Sequence, residues 1–320
     1  MTNRGRLAAA AAAVLAAGTV LSVFAAAAAS ASSAPQASTN SAASPAAHGY
    51  PGPSSTGVPP GMALKRVPGQ VSRGRGWYFD PRGVVRVTGN GAVLSGLYIP
   101  YTIDVTASHV TIKDVKLVTD WPNSMGIGLR HTKNVTIEND TISGRNARAG
   151  RLMAGVKDIY GDSTGLRVLR NNIYDAATGV QMEQGLISGN YIHSMGYRPG
   201  DHVNGITSNG GATGTLTISG NTIFNQLSQT DAIGLFPDFG AQANRLITGN
   251  LIAGGGYAFY GGMKAGHPQP YNIRFTNNRI STRLFARGGY WGPDCAFATG
   301  GRNTWSGNVW DATGQAIPAP

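Results

Sequence analysis

An all-β solenoid is the fold class that the sequence predicts, and three observations lead to it. An eight-residue pattern recurs eight times between residues 110 and 310. The chain has 46 glycines for corners, and residues 62–320 show no 3.6-residue apolar period of the kind that marks an amphipathic helix. Short strands that turn at glycine or asparagine and recur every 20 to 30 residues or so are typical of a right-handed parallel β-helix.

Each copy of the pattern predicts a strand, a bend and a second strand. Its third and eighth places are apolar but differ in parity, so one straight strand cannot bury both. The chain must therefore turn near the glycine or asparagine at places five and six. The copies are VTIKDVKL (Val110), VTIENDTI (Val135), LRVLRNNI (Leu166), GLISGNYI (Gly185), LTISGNTI (Leu216), RLITGNLI (Arg245), IRFTNNRI (Ile273) and NTWSGNVW (Asn303).

Asparagine at the sixth place predicts a ladder of stacked amides. Six consecutive copies have it, and the copy before them has Asp140. Asparagine tolerates the left-handed bend, and its amide can donate to one neighbouring coil while accepting from another. The six residues are Asn171, Asn190, Asn221, Asn250, Asn278 and Asn308.

A further short run follows each bend, such as GVKDIY at Gly155, GVQMEQ at Gly179 and GITSNG at Gly205. Most of these runs alternate with period two, which predicts another strand per coil. A propeller or a sandwich would need hairpins that these units lack. We therefore expect an all-β, single-stranded right-handed parallel β-helix.

The N-terminal 31 residues have the pattern of an export signal. A basic start with Arg4 and Arg6 precedes an uncharged Ala/Val/Leu run, and Ala29–Ser30–Ala31 is a small-residue cleavage site. A retained membrane anchor is the alternative, since the run is long enough to span a bilayer. Residues 32–61 are rich in Ser, Ala and Pro and predict a disordered spacer. The β-helix domain is expected over residues 62–320.

The net charge and the distribution of basic residues indicate what kind of molecule the protein binds. The formal charge is +11, or +9 once Arg4 and Arg6 are removed (11 − 2), and Cys295 is the only cysteine, so no intramolecular disulfide forms. A basic exported protein favours an anionic partner, here an acidic polysaccharide or cell-wall polymer. The basic residues are scattered, which argues against nucleic acid. We expect a secreted monomer with no cofactor, no metal and no membrane association in its mature form.

Four stretches carry a resemblance to a known family: SSTGVPPGMAL at Ser54, GDHVNG at Gly200, GGGYAFYGG at Gly254 and WSGNVWDATG at Trp305. With them the chain resembles secreted actinobacterial right-handed parallel β-helix repeat proteins of the pectin-lyase-like superfamily, over residues 54–316. The superfamily includes polysaccharide lyases, glycoside hydrolases, epimerases and fibre proteins, so the fold does not select an activity. Family members often carry DHxDG, and Asn204 here takes the place of a carboxylate.

Stacking the coils in register predicts three columns of side chains on one face. Lys157 aligns with Gln181 and Thr207, and Arg130 aligns with Glu183, Asn209 and Phe236. A third column holds Thr178, Asn204, Asp231 and Tyr257, entered by a loop with Asp201 and His202. For β-elimination the required types are His202, Lys264, Arg198 and Tyr260. For hydrolysis, which needs two facing carboxyl groups, Asp201, Asp231, Glu183 and Asp238 are available. Calcium would need more carboxylates than this stretch offers.

Each of these candidate residues also has a possible role that is purely structural. The Asp201–His202 pair is equally typical of a turn whose Asp caps backbone N–H groups, and Glu183 with Lys157 can be a solvated ion pair. The aromatic side chains can be packing residues or platforms for sugar rings.

The sequence therefore predicts an exported enzyme that cleaves an acidic polysaccharide by β-elimination, with a glycoside hydrolase or a non-catalytic wall-binding protein as alternatives. The candidate catalytic residues are His202, Asp201, Asp231 and Lys264. The candidate substrate-binding residues are Arg198, Asn204, Glu183, Lys157, Tyr257, Tyr260 and Phe236.

Overall fold

A computed structural model describes residues 49–119 and 124–320 of the chain. These residues form thirty short strands and no α-helix. The strands make three long sheets in which neighbours are parallel, apart from three successive antiparallel strands at the N-terminal end of the second sheet. The predicted right-handed parallel β-helix is confirmed. The predicted signal peptide, residues 1–31, lies outside the described residues.

The first sheet has ten strands. They are β1 (Lys65–Arg66), β6 (Leu97–Ile99), β9 (Lys116–Thr119), β12 (Thr141–Gly144), β15 (Asn172–Tyr174), β18 (Tyr191–Ile192), β21 (Thr222–Asn225), β24 (Leu251–Gly254), β27 (Arg279–Ile280) and β30 (Val309–Trp310).

The second sheet has eleven strands. They are β2 (Arg73–Gly74), β3 (Trp77–Asp80), β4 (Val84–Val87), β7 (Thr102–Val105), β10 (Met125–Leu129), β13 (Leu152–Asp158), β16 (Ala176–Gln181), β19 (Asn204–Ser208), β22 (Asp231–Leu235), β25 (Tyr257–Gly261) and β28 (Gly292–Cys295).

The third sheet has nine strands, one for each coil of the solenoid. They are β5 (Val93–Ser95), β8 (Thr111–Lys113), β11 (Thr136–Glu138), β14 (Arg167–Leu169), β17 (Gly185–Ser188), β20 (Leu216–Ser219), β23 (Ala243–Thr248), β26 (Tyr271–Thr276) and β29 (Thr304–Ser306).

The bend inside each repeat is a left-handed residue at the fifth place. In all eight copies this residue has a positive φ, between 52° and 69°, whether it is glycine or a larger residue such as Arg170. The bend turns the chain from the third sheet into the first, so the third and eighth places both point inward. Ile187 and Ile192, for example, are both fully buried. The predicted strand–bend–strand unit is confirmed.

The structure adds a first coil that the repeat search missed. Residues 92–99, AVLSGLYI, supply β5 and β6, with Leu94 and Ile99 fully buried and Gly96 at φ 64°. This copy has Leu97 at the sixth place, where the next copy has Val115. The solenoid therefore has nine coils where the sequence revealed eight.

The asparagine ladder runs along the bend between the third and first sheets. The Nδ2 of Asn190 donates to the Oδ1 of Asn221 at 2.9 Å, and Asn221 donates to Asn250 at the same distance. Each amide also donates to a carbonyl of the preceding coil, as Asn221 does to Ile187 at 3.0 Å. Asp140 ends the ladder: its Oδ1 accepts from the backbone of Val115 at 2.7 Å, and burial raises its pKa well above the usual range.

Interior packing changes in character along the solenoid. Valine, isoleucine and leucine fill the earlier coils, whereas Phe259, Phe275 and Trp305 stack in the last ones, with ring centroids 4.1 and 4.6 Å apart. At the other end the antiparallel strands β3 and β4 extend the second sheet, and Trp77 is buried there.

The chain before β1 lies across the outer face of the first sheet. We call residues 50–58 the strap. Tyr50 packs with Phe224, Leu251 and Ala253, which belong to late coils. At the other end, the backbone N–H of Gly57 donates to Arg170 and that of Val58 to the Thr141 hydroxyl, at 2.9 and 3.1 Å.

The strap includes part of the segment that was expected to be a spacer. Residues 49–61 of that segment are described, and the strap within them makes specific contacts with the coils. Residues 32–48 lie outside the described residues. A Cβ at Gly57, where φ is +79°, would stand 2.6 Å from the Thr141 hydroxyl, so the close approach of the strap depends on glycine.

An interior rung of the ladder should matter more for stability than its last rung. Asn221→Ala removes hydrogen bonds to amides on both sides and should lower the free energy of unfolding by about 1 to 3 kcal/mol. Asn308 accepts from Asn278 but donates to no further asparagine, so Asn308→Ala should lower it less. Urea denaturation of both variants measures the difference, and equal losses would contradict a cooperative ladder.

Candidate functional site

The outer face of the second sheet carries one row of side chains along the solenoid. Strand register places these residues at equivalent positions on successive coils, about 4.8 Å apart. The row consists of Lys157, Gln181, Thr207, Gly234, Tyr260 and Cys295. A parallel row holds Thr178, Asn204, Asp231 and Tyr257. These two of the three predicted columns are confirmed.

A cleft of about 510 Å³ opens where strands β13, β16 and β19 end. Lys157, Gln181 and Asn209 line it, together with the rings of Tyr160 and Phe239. The two rings are 57% and 77% exposed, unusually high values for aromatic side chains. The cleft therefore combines one cation, two amides and two uncovered aromatic rings.

Lys157 supplies the positive charge of this cleft. Its side chain is half-buried, and desolvation lowers the pKa of its amine, although the nearby Glu183 carboxylate works in the opposite direction. Among the residues that the structure describes, none forms an ion pair with Lys157. The solvated Lys157–Glu183 pair considered from the sequence is therefore not formed, and the amine is left available to a ligand.

Glu183 is instead tied to the protein. It is 5% exposed, and its oxygens accept from the Ser208 hydroxyl and from the backbone N–H groups of Asn209 and Gly210, at 2.6 to 2.9 Å. The buried guanidinium of Arg245 lies 4.0 Å away. Burial raises the pKa of Glu183, and these donors oppose the rise. The contacts give Glu183 the role of fixing the loop that forms one side of the cleft.

Tyr160 stands on the opposite side of the cleft and is held by two contacts. The Arg130 guanidinium donates to its hydroxyl at 3.3 Å, and the His131 ring stacks on it with centroids 4.3 Å apart. His131 in turn contacts Asp162 through Nδ1 at 2.5 Å, and Arg130 bonds Asp104 at 2.7 Å. Sequence reasoning missed Tyr160 because it is the last residue of the run GVKDIY, which predicted only a strand.

Asp231 is buried on the same face, farther along the row. Its exposure is 0%, and neither carboxyl oxygen has a hydrogen-bond partner. Asn204 Oδ1 and Thr207 Oγ1, on the neighbouring strand, are also buried without partners. Burial raises the pKa of Asp231 well above its usual range. The carboxyl is consequently held in its neutral form to higher pH than an exposed aspartate, because nothing nearby stabilises its charge.

Aromatic rings accompany this carboxyl. Tyr260 packs against Phe236 and Tyr257, with centroids 5.6 and 5.4 Å apart. A Cβ at Gly234 would meet both the Asp231 carboxyl and the Phe236 ring at 2.5 Å, so the glycine makes room for them. Burial raises the pKa of Tyr260 to about 12, with contributions from Cys295 and Asp231. These three aromatic residues therefore form a packed group around a buried carboxyl whose pKa is raised.

The loop with Asp201 and His202 lies at the other edge of the second sheet. It enters β19, whereas the cleft lies where β19 ends, and a five-residue strand is about 13 Å long. Asp201 bonds Arg151 through both oxygens, at 2.5 and 2.6 Å, and accepts from the Arg198 backbone at 2.7 Å. These are the contacts of a structural corner. His202 beside it is exposed.

Lys264 follows β25, at the edge of the second sheet where the strands end, and its amine pairs with Asp238 at 3.7 Å. The four residues predicted as catalytic are therefore spread over the sheet: Asp201 and His202 at the entering edge, Asp231 under aromatic rings, and Lys264 beyond the opposite edge. The Arg198 side chain bonds carbonyls of Arg148 and Ala149 on the entering edge. Within residues 49–119 and 124–320, no three His, Cys, Asp or Glu side chains are grouped to hold a metal ion.

Comparison with known proteins supports the fold and no activity. Residues 85–233 match the family model described as a right-handed β-helix region. No curated protein and no solved structure matches the chain. In the part of the chain that the structure describes, no helix is long and apolar enough to cross a membrane. The chain thus has a right-handed parallel β-helix fold, and its cleft must be interpreted from its own residues.

Replacing Asp231 with asparagine should flatten the pH dependence of stability. The folded-state pKa of Asp231 is raised, so its contribution is fully present below the unfolded pKa of about 3.9 and is lost as pH rises through the folded pKa. From pH 4 to 8 the wild type should lose about 2 kcal/mol more unfolding free energy than Asp231→Asn, a scale typical of one perturbed carboxyl.

Urea denaturation at both pH values provides the measurement. Asp238→Asn is the matched control, because Asp238 is half-exposed and should leave the wild-type slope unchanged. Identical pH slopes for the wild type and Asp231→Asn would show that the buried carboxyl does not titrate as proposed.

Proposed function

We propose that this protein is exported and acts on an acidic polysaccharide, which it binds in the cleft at Lys157 and cleaves by β-elimination. The fold supports the class, because a long outer sheet face with residues repeated every 4.8 Å or so suits an extended polymer. The formal charge of the whole chain, +11, supports an anionic ligand. The N-terminal pattern of residues 1–31 supports export.

One observation carries the proposal: Lys157 is a half-buried cation without an ion-pair partner among the described residues, in a cleft walled by exposed rings. A partly desolvated amine attracts a carboxylate more strongly than a fully solvated one. Tyr160 and Phe239 offer apolar ring faces to the C–H face of a sugar, and Gln181 and Asn209 offer amides to its hydroxyls. A uronic acid unit matches all three features.

The lowered pKa of Lys157 also suits the first proton transfer of an elimination. The neutral amine removes the proton from C5 of the uronate, the C4–C5 double bond forms, and the bond from C4 to the glycosidic oxygen breaks. The Arg130 guanidinium, which donates to the hydroxyl of the lining residue Tyr160, supplies positive charge to the carboxylate as C5 is deprotonated. No water is consumed, and the products are an unsaturated uronate and a new reducing end.

Hydrolysis has weaker support at this cleft. Two carboxyl groups would have to face one glycosidic bond. Asp158 is 3% exposed and bonds Ser163, and Glu183 is bound to backbone N–H groups. The cleft therefore presents no exposed carboxyl pair.

Binding without cleavage is the second candidate function. It is favoured because the residues predicted to be catalytic are paired with other side chains or buried. Asp201 and Lys264 both have ion-pair partners, and Asp231 is inaccessible. In that case Lys157 serves only as an anchor, and the polymer leaves unchanged.

Replacing Lys157 with methionine should weaken binding of a polyuronate by about 10- to 100-fold, the scale of one charge-assisted hydrogen bond. Methionine keeps the length of the side chain, and Lys157 has no described ion pair to lose, so the urea midpoint should hardly change. Calorimetric titration with polygalacturonate, alginate and hyaluronate, beside neutral dextran, measures the effect. The matched control is Lys264→Met, which removes a paired lysine from the same edge.

The same panel decides between cleavage and binding. Ultraviolet absorbance reports the unsaturated product, and its rate should rise with pH while affinity falls, because Lys157 is a base when neutral and an anchor when charged. Polymer binding without product supports the second candidate. If neither binding nor product is seen with any acidic polymer, both are wrong.

A further inference from the structure

Four titratable side chains line the cleft, and only two of them are available to a ligand. They are Lys157, Asp158, Tyr160 and Glu183. Asp158 is bonded to the hydroxyl and backbone of Ser163, at 2.8 and 3.1 Å, and Glu183 to Ser208 and two backbone N–H groups. Both carboxyl groups are almost completely buried. Lys157 and Tyr160 remain, and only the Tyr160 side chain is mostly exposed.

We propose that Tyr160 is the catalytic acid of this cleft, donating its hydroxyl proton to the glycosidic oxygen that leaves C4. This inference rests on the proposed function and assigns the proton donor that the elimination requires. The oxygen departs as an alkoxide and needs a proton as the C4–oxygen bond breaks. Gln181 and Asn209, which also line the cleft, carry amides that do not release protons at neutral pH.

Two neighbours, Arg130 and His131, hold the Tyr160 side chain in place. Arg130 donates to the hydroxyl oxygen at 3.3 Å, which stabilises the phenolate left after proton transfer. The Arg130 guanidinium carbon lies 5.9 Å from the ring centre, and His131 covers one ring face in a nearly parallel stack, with an interplanar angle of 5°. The His131–Asp162 contact fixes the stacked ring in turn. An exposed tyrosine with this support keeps one orientation.

Lys157 and Tyr160 together account for every proton transfer in the catalytic cycle. Lys157 gains a proton from C5, and the electron pair of that C–H bond becomes the C4–C5 double bond. The pair of the C4–oxygen bond stays with the oxygen, which takes the Tyr160 proton. After the product leaves, Lys157 returns a proton to the Tyr160 phenolate through water. No oxidant, metal or other reactant is required.

Replacing Tyr160 with phenylalanine tests the assignment in the full-length protein. The ring and its stack on His131 remain, whereas the hydroxyl is lost. With polygalacturonate, alginate and hyaluronate as probes, kcat on a cleaved polymer should fall by about 10² to 10⁴. The calorimetric Kd should stay within about threefold of wild type. Tyr78→Phe, a change at an exposed tyrosine of the N-terminal hairpin, should leave both values unchanged.

A pair of variants at His131 separates orientation from chemistry. His131→Phe keeps a stacked ring and should retain most of the wild-type kcat, whereas His131→Ala removes the stack and should lower kcat about tenfold without changing Kd. A Tyr160→Phe enzyme with wild-type kcat overturns the acid assignment while leaving the proposed function intact. Wild-type protein that binds but releases no product overturns the assignment and the elimination together. Protein that does neither overturns the proposed function as a whole.

Discussion

The burial of backbone and side-chain amides at the bend of each coil is the constraint on which the rest of the structure depends. Each of the nine coils turns from the third sheet into the first at a left-handed residue, and in seven of them a buried polar side chain follows that residue. That side chain is satisfied only if the next coil supplies its equivalent at the same height, as Asn190, Asn221 and Asn250 do. The stack therefore fixes the rotation of every coil about the solenoid axis, and with it the register of the second sheet.

The same register in the second sheet determines which side chains lie next to one another at the cleft. The strands hold Lys157 and Gln181 one coil apart, while the cleft walls come from loops that leave those strands. Buried polar groups, chiefly Glu183 with Arg245, fix one loop, and the stacked Tyr160 and His131 belong to the segments on the other side. The rigid part thus positions the cation, and the variable loops supply the rings that surround it.

Much of the fold was visible in the sequence, because it depends on local rules repeated many times. Positive φ at the fifth place, burial at the third and eighth, and asparagine at the sixth leave a periodic signal that needs no tertiary knowledge. The first coil was missed although it carries the same bend and the same buried places, and the strap was missed because Gly57 and Tyr50 meet partners more than 80 residues away. The two columns on the second sheet followed from the repeats alone.

The candidate site was less accessible to sequence reasoning, for a physical reason. Aligning the repeats shows that two residues occupy equivalent positions on neighbouring coils. It does not show at which edge of the sheet a loop lies, or which carboxyl group forms an ion pair with a distant residue. Asp201 was quoted for its place beside His202, yet Arg151, 50 residues earlier, binds both its oxygens. Tyr160 lay in a run that predicted only a strand, and its exposure arises from the turn that follows.

The strap gives the solenoid a property that its repeats alone would not have. Stacked coils interact mainly with their neighbours, so a simple repeat array can fold or fray in sections. Here Tyr50, near the beginning of the described chain, packs on residues 251 and 253 and beside Leu284, while Gly57 binds the coil of Arg170. An emerging chain that has been made only as far as residue 240 lacks Leu251 and Ala253, two of the three residues on which Tyr50 packs. The strap therefore gains its full set of contacts only once the late coils exist, which links the N-terminal end of the described chain to completion of the stack.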